Sequence, residues 1–280
     1  MSDASEPTRT FSRVSNLLWR GLRIALGTFI LSSLGACALQ EALIFPAPET
    51  QRYDILPPEF EEVSLTTSDG ETLYAVYAPP RAGDLSLLMF HGNGMSATGL
   101  LPFGRVLSAE GYGVLLLEYR GYPKSTGRPS EDGLYLDADA GYAFLREADA
   151  RVVAYGMSLG SGVAVDLAAR VPVAGLILEA PFDSLTNVAA QRVPFLPVRL
   201  LLRHRFENLD KIGGVDAPIL ILHGEQDRVV PIENGRTLSE AAREAEFVTF
   251  ENGTHNNLLS VGGLRDVLRF LEGLESTPLE

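Results

Sequence analysis

The stretch "RVVAYGMSLGSGVAV", residues 151–165, sets one hydroxyl between glycines at the end of an apolar run. Val152 to Tyr155 read as a short buried strand and Ser161 to Arg170 as a helix, so Ser158 stands at a strand-to-helix turn. The pattern G-x-S-x-G suits a turn sharp enough to strain the serine backbone and bring the helix close against the strand. By itself this pattern fits equally a glycine-rich turn with a serine N-cap. A serine hydroxyl is a weak nucleophile unless a base takes its proton, and that base needs a third group to fix its tautomer. The chain offers four histidines. His255 lies in the loop "NGTHNN" after an apolar run, His223 closes a strand, His91 precedes a glycine-rich loop, and His204 sits in an Arg-rich segment. His255 is the candidate base and Asp227, in "HGEQDRVVP" just beyond "APILIL", the candidate acid. Asp183, in "EAPFDSL", and Glu225 are the rivals to Asp227; Asp183 reads better as a helix cap or turn residue. Two backbone N–H groups would hold an oxyanion: that of Leu159, at the helix start, and that of Asn93, in "HGNG".

The elements that must bring these residues together are legible as alternating runs. "FEEVSLTTSDGETLYAVYAPP" holds two β-rich runs joined at Ser68-Asp69-Gly70, an antiparallel start. The runs "LSLLMF", "YGVLLLEY", "RVVAY", "VAGLILEA", "APILILHG" and "EFVTFE" then alternate with helical stretches. Near-continuous apolar strands belong to a mostly parallel sheet covered on both faces, so the fold class is α/β, doubly wound. In such sheets ligands bind beyond the carboxyl ends of the strands, where His91–Gly94, Ser158, Asp227 and His255 all fall. Arg120 and Tyr122, in "EYRGYPKSTGRPSEDG", either brace that loop, the preferred reading, or face the pocket, and the loop enters a helix at Pro129-Ser130-Glu131. An insert at about residues 185–213 reads as a short lid. Its apolar Phe195, Leu196, Val198 and Leu200–Leu202 beside Arg199, Arg203 and Arg205 suit an amphipathic helix, either walling an acyl site or packed on the sheet.

The chain has 280 residues, and its net charge of -13 argues against a nucleic-acid partner, since phosphate contacts need clustered Lys and Arg. Repeats of fixed period and low-complexity tracts are absent, which removes solenoid and disordered readings. Arg9, Arg13, Arg20 and Arg23 precede the uncharged stretch Ile24 to Leu39, shorter than the roughly 20 residues of a membrane span. A secretory signal over residues 1–36 is expected, with a signal anchor as the alternative, followed by a tether over 37–58, the catalytic domain over 59–274 and a tail over 275–280. Leu34-Gly35-Ala36-Cys37 resembles the lipobox at which bacterial lipoproteins are cut and lipidated, which implies lipidation at Cys37. Either alternative tethers the domain to a membrane, facing the periplasm or exterior. Cys37 is the one cysteine, so no internal disulfide can form.

Taken together, "HGNG", "LLLEYRGYPKSTGRPSEDGLYLDADAGYAFL", "GMSLGSG", "PILILHGEQDRVVP" and "GTHNN" resemble the small membrane-tethered α/β hydrolases, a branch that includes protein depalmitoylases and lysophospholipid lipases. The resemblance runs from about Ala42 to Leu271. It implies an α/β-hydrolase fold and a serine hydrolase of acyl esters or thioesters on a small-molecule, lipid or acylated substrate, needing no metal or cofactor. Ser158, Asp227 and His255 would be nucleophile, acid and base, with Asn93 and Leu159 forming the oxyanion hole. Pro123 departs from the glycine common after "RGY" in the branch. An aminopeptidase or amidase on the same fold, and a lipid- or partner-binding module without catalysis, are the alternatives. A dehalogenase is disfavoured because it needs a carboxylate where Ser158 stands.

Overall fold

A computed structural model describes residues 19–24, 27–29, 32, 33, 35, 39–53, 55–148 and 150–276. Cys37 and most of the expected signal segment lie outside the described residues. Among the described residues no helix is long and apolar enough to cross a membrane.

Eight strands form one sheet: β1 (Glu61–Thr66), β2 (Thr72–Ala78), β3 (Leu85–Phe90), β4 (Gly113–Leu117), β5 (Arg151–Met157), β6 (Gly175–Glu179), β7 (Ile219–Gly224) and β8 (Ala245–Phe250). Their spatial order is β1-β2-β4-β3-β5-β6-β7-β8. β1 and β2 pair antiparallel through the Ser68-Asp69-Gly70 turn, β2 runs antiparallel to β4, and every later pair is parallel. The α/β-hydrolase expectation holds, antiparallel first strands included.

Alternation along the strands decides which helices cover which face. Leu88, Phe90, Leu115, Leu117, Ala154 and Ile221 share one core with α2 (Glu131–Glu147), α3 (Leu159–Arg170), α6 (Asn208–Ile212) and α7 (Ile232–Ala241). Leu87, Met89, Val114, Leu116, Tyr155 and Leu222 face the opposite core with α1 (Leu101–Glu110) and α8 (Leu264–Glu275). β3 to β7 are buried apart from Arg151 at the start of β5, whereas β8 pairs only with β7 and is largely half-exposed, as an edge strand must be.

Helix α2 begins where its sequence says, with the Ser130 hydroxyl accepting from Gly133 N at 3.1 Å and Glu131 and Asp132 in the first turn. The insert is not one amphipathic helix. It is α4 (Leu185–Arg192), the single turn α5 (Val198–Leu201) and α6, because Pro194 and Pro197 interrupt the run. Residues 39–53, within the expected tether, lie against the domain: residues 39–44 are helical and Phe45 is buried against His204 and Phe206.

Candidate active site

Strand β5 delivers Ser158 to the centre of the sheet's carboxyl edge. The residue has φ 51° and ψ -114°, strained for a side chain with a Cβ, and its N–H donates to Glu179 O at 2.8 Å on the neighbouring strand. Helix α3 can start this close only because of two glycines. A Cβ on Gly156 would lie 2.4 Å from Gly160 O, and one on Gly160 would lie 2.2 Å from Phe90 O. Ser158 is therefore held between β5, the end of β3 and the helix N-terminus.

The loops after β7 and β8 bring in the other two groups. His255 Nε2 lies 2.8 Å from Ser158 Oγ, and His255 Nδ1 lies 2.7 Å from Asp227 Oδ2. Asp227 Oδ1 accepts from Val229 N at 2.7 Å and Val230 N at 2.9 Å. Burial works against its charge, yet the hydrogen bonds from His223, His255 and Val230 hold the Asp227 carboxyl well below the usual carboxylate range. An ionised carboxylate only accepts, so Nδ1 of His255 carries the proton and Nε2 is free to accept from the Ser158 hydroxyl. The two loops are tied together by Glu225 N donating to Phe250 O at 3.0 Å and Gln226 N donating to Gly253 O at 2.9 Å.

The rival acids do other work. Asp183 accepts from Ser184 N and from Asn187 Nδ2 just ahead of α4, whose N-cap is Ser184, its hydroxyl accepting from Asn187 N at 3.1 Å, and Glu225 points to Thr249 on the surface. Among the other histidines, His91 is buried with Nε2 2.9 Å from Glu118 Oε1, and His204 Nδ1 accepts from Glu131 N at 3.2 Å. His223 lies closer to the site than its sequence position suggests. Its Nε2 donates to Val230 O at 3.0 Å with Asp227 Oδ2 at 3.5 Å, so two imidazoles flank one carboxylate. Arg120 braces its loop: it is buried, with Nε donating to Asp137 Oδ1 at 2.7 Å and both terminal nitrogens reaching Asp69.

Ser158 opens into a cavity of about 710 Å³ that both Asn93 and Leu159 line. Leu159 N belongs to the first residue of α3, ahead of any intrahelical bond, and the loop carrying Asn93 abuts Ser158, since a Cβ on Gly92 would lie 3.5 Å from Ser158 Cβ. The Asn93 side chain has a task the sequence reading misses. Its amide donates to Leu43 O at 3.1 Å and Ile44 O at 2.9 Å, pinning residues 39–53 as a strap over the cavity. Gln51 anchors the other end of the strap, donating to Glu118 and to Pro123 O and accepting from Thr98 Oγ1 at 3.0 Å. The rest of the lining is mainly apolar, with Met95, Phe182, Leu185 and Val188 among it; Arg52 is its cation, and it contains no carboxylate among the described residues.

Beneath Ser158, the Glu179 side chain is buried beside Tyr155, whose hydroxyl donates to it. Burial pushes this carboxyl up to about 7, against the opposing pull of the Tyr155 hydroxyl and of His255.

Known proteins resemble this chain in sequence and in fold. Residues 82–210 match the family model described as serine aminopeptidase S33, and residues 203–271 match one described as TAP-like protein. An uncharacterized protein of Mycobacterium tuberculosis is 36% identical over 207 residues, covering 71% of this chain and 74% of that protein. Protein bem46 of Schizosaccharomyces pombe is 31% identical over 240 residues, covering 78% of this chain and 80% of that protein. Among solved structures, the Pyrococcus furiosus esterase Pf2001 superposes with a TM-score of 0.68 at 21% identity, covering 82% of this chain and 98% of that one.

Proposed function

Since the chain belongs to the α/β hydrolase family, we propose that it is a serine hydrolase that cleaves acyl esters or thioesters through an acyl-serine intermediate. The observation that carries this reading is the unbroken line from Ser158 Oγ through His255 to an ionised Asp227, with distances of 2.8 and 2.7 Å. As Ser158 Oγ attacks the acyl carbon, its proton passes to His255 Nε2, and Asp227 stabilises the imidazolium. The carbonyl oxygen becomes an oxyanion held by Leu159 N–H and Asn93 N–H, aided by the positive end of α3. Collapse breaks the bond to the alcohol or thiol, which leaves with the proton from His255. Water then loses a proton to the same imidazole as it attacks the acyl group, and collapse returns Ser158 and releases the acid.

An aminopeptidase reading has the family model's description behind it. Holding a substrate's ammonium group takes a carboxylate near the reacting serine. The described cavity lining supplies Arg52 and apolar walls instead, which favours acyl esters and thioesters. Membrane attachment through a lipidated Cys37, or through a signal anchor, belongs to the same proposal, with the catalytic domain outside the cytoplasm. Metabolic labelling of the full chain with a fatty-acid analogue, against Cys37→Ser, tests the lipidated form.

The deciding experiment for catalysis is labelling of residues 39–280 with a fluorophosphonate, in which Ser158 Oγ bonds to phosphorus and fluoride leaves. Mass mapping should place the label on Ser158, and Ser158→Ala and His255→Ala should abolish it. A folded wild type that takes no label overturns the proposal and moves lipid or partner binding without catalysis to the front.

A further inference from the structure

A second cavity of about 180 Å³ lies behind the first, walled by Ala189 of α4, Val193 just after it, and Val198 and Leu201 of α5. Leu43 and Ile44 line both cavities. These two strap residues therefore form the partition between the space in front of Ser158 and an apolar chamber under the insert. Their backbone is fixed, because the Asn93 amide grips both carbonyls; of the side chains, Leu43 is 70% exposed and Ile44, half-buried, is the more enclosed part of the partition. An alkyl chain that grows from an acyl group on Ser158 through an apolar cleft ends against a wall of this kind.

We propose that Leu43 and Ile44 set the length of acyl chain that the site accepts, and that the chamber behind them receives the distal methylenes of a longer chain once the partition is trimmed. The inference rests on the serine hydrolase reading. The occupant is alkyl because the chamber presents aliphatic side chains, Gln40 being the polar residue at its edge, and its oxygen Oε1 is occupied by Arg203 N at 2.8 Å. The chamber matters to the reaction because it shares two residues with the cavity that holds the nucleophile, and a buried methylene improves binding roughly fourfold.

The test uses p-nitrophenyl esters from acetyl to dodecanoyl, so that the leaving group stays constant while the acyl chain grows. Ile44→Ala should move the preferred length upward by two or more carbons and raise kcat/KM for the longer ester relative to butyrate about tenfold. Adding Ala189→Trp, which fills the chamber from behind, should cancel that gain, while Ala189→Trp alone should leave acetate and butyrate hydrolysis as in the wild type. An unchanged length profile in Ile44→Ala, with acetate still hydrolysed, overturns the partition and leaves the serine hydrolase reading standing. A gain that survives Ala189→Trp also overturns it, since the extra methylenes would then lie elsewhere. Loss of acetate hydrolysis in the wild type itself would strike the underlying reading instead.

Discussion

Glu179→Gln isolates one proton. The carboxyl is 2% exposed, at the end of the strand whose backbone carbonyl accepts from Ser158 N–H, and burial raises it from an ordinary 4.5 to about 7. Between those values the native state keeps a proton that the unfolded chain releases, so stability falls as pH rises through this window and levels off above it. Each tenfold in proton affinity is worth about 1.36 kcal/mol, which makes the loss from pH 4.5 to above pH 7 about 3 kcal/mol. Glutamine keeps an oxygen to accept from the Tyr155 hydroxyl but has no charge to bury, so the variant should lack this part of the pH dependence. For a domain of this size about 3 kcal/mol corresponds to roughly 6–12 °C in Tm. Thermal unfolding of both proteins from pH 4.5 to 8.5 gives the answer as a difference of differences, in which every other titrating group cancels. The two should melt alike at pH 4.5, with the variant ahead by that margin at pH 8. Parallel curves would refute the reasoning, because they would mean that Glu179 holds the same number of protons folded and unfolded.

Asp227→Asn should lower kcat for p-nitrophenyl butyrate by about 10³–10⁴ with little change in KM, since an amide can turn its NH₂ toward His255 and force the wrong tautomer. Gly160→Ala should cost about 3 kcal/mol in urea unfolding and slow fluorophosphonate labelling, because the added Cβ, 2.2 Å from Phe90 O, must push α3 and Leu159 N–H away from β3. Arg120→Ala should destabilise by about 3–5 kcal/mol by leaving Asp137 buried and unpaired; adding Asp137→Ala should restore part of that loss, as a double-mutant cycle in chemical denaturation will show.

The sheet was readable because buried parallel strands leave long apolar runs, and β3 to β7 fall on the runs quoted for them. The meeting of Ser158, Asp227 and His255 was readable for a different reason: all three follow strands, and parallel strands deliver their ends to one edge. The strap was not readable. Asn93 and Ile44 are 49 residues apart, and Gln51 and Glu118 are 67 apart; contacts between single residues over such spans leave no period in the chain. The sequence around Asn93 points to a backbone donor there, and nothing local to "HGNG" shows what the side-chain amide grips. The apolar spacing of the insert suggests one helix, but Pro194 and Pro197 each remove a donor that the helix interior needs, and the segment breaks there. His223 reads as the last residue of an apolar strand, and nothing within that strand shows that the carboxylate four residues on turns back toward it.

The site draws on opposite extremes of the sheet. Ser158 ends β5, which has β3 on one side and β6 on the other, while His255 follows β8, a half-exposed edge with one neighbour. Edge elements open at a fraction of the free energy needed to unfold a sheet's centre. Mild denaturant or warming should therefore peel His255 from Ser158 while the core strands still protect their amides from hydrogen exchange. Such a molecule parts Ser158 from His255 before it loses its fold, and restores the pair by re-docking one strand instead of refolding the whole domain.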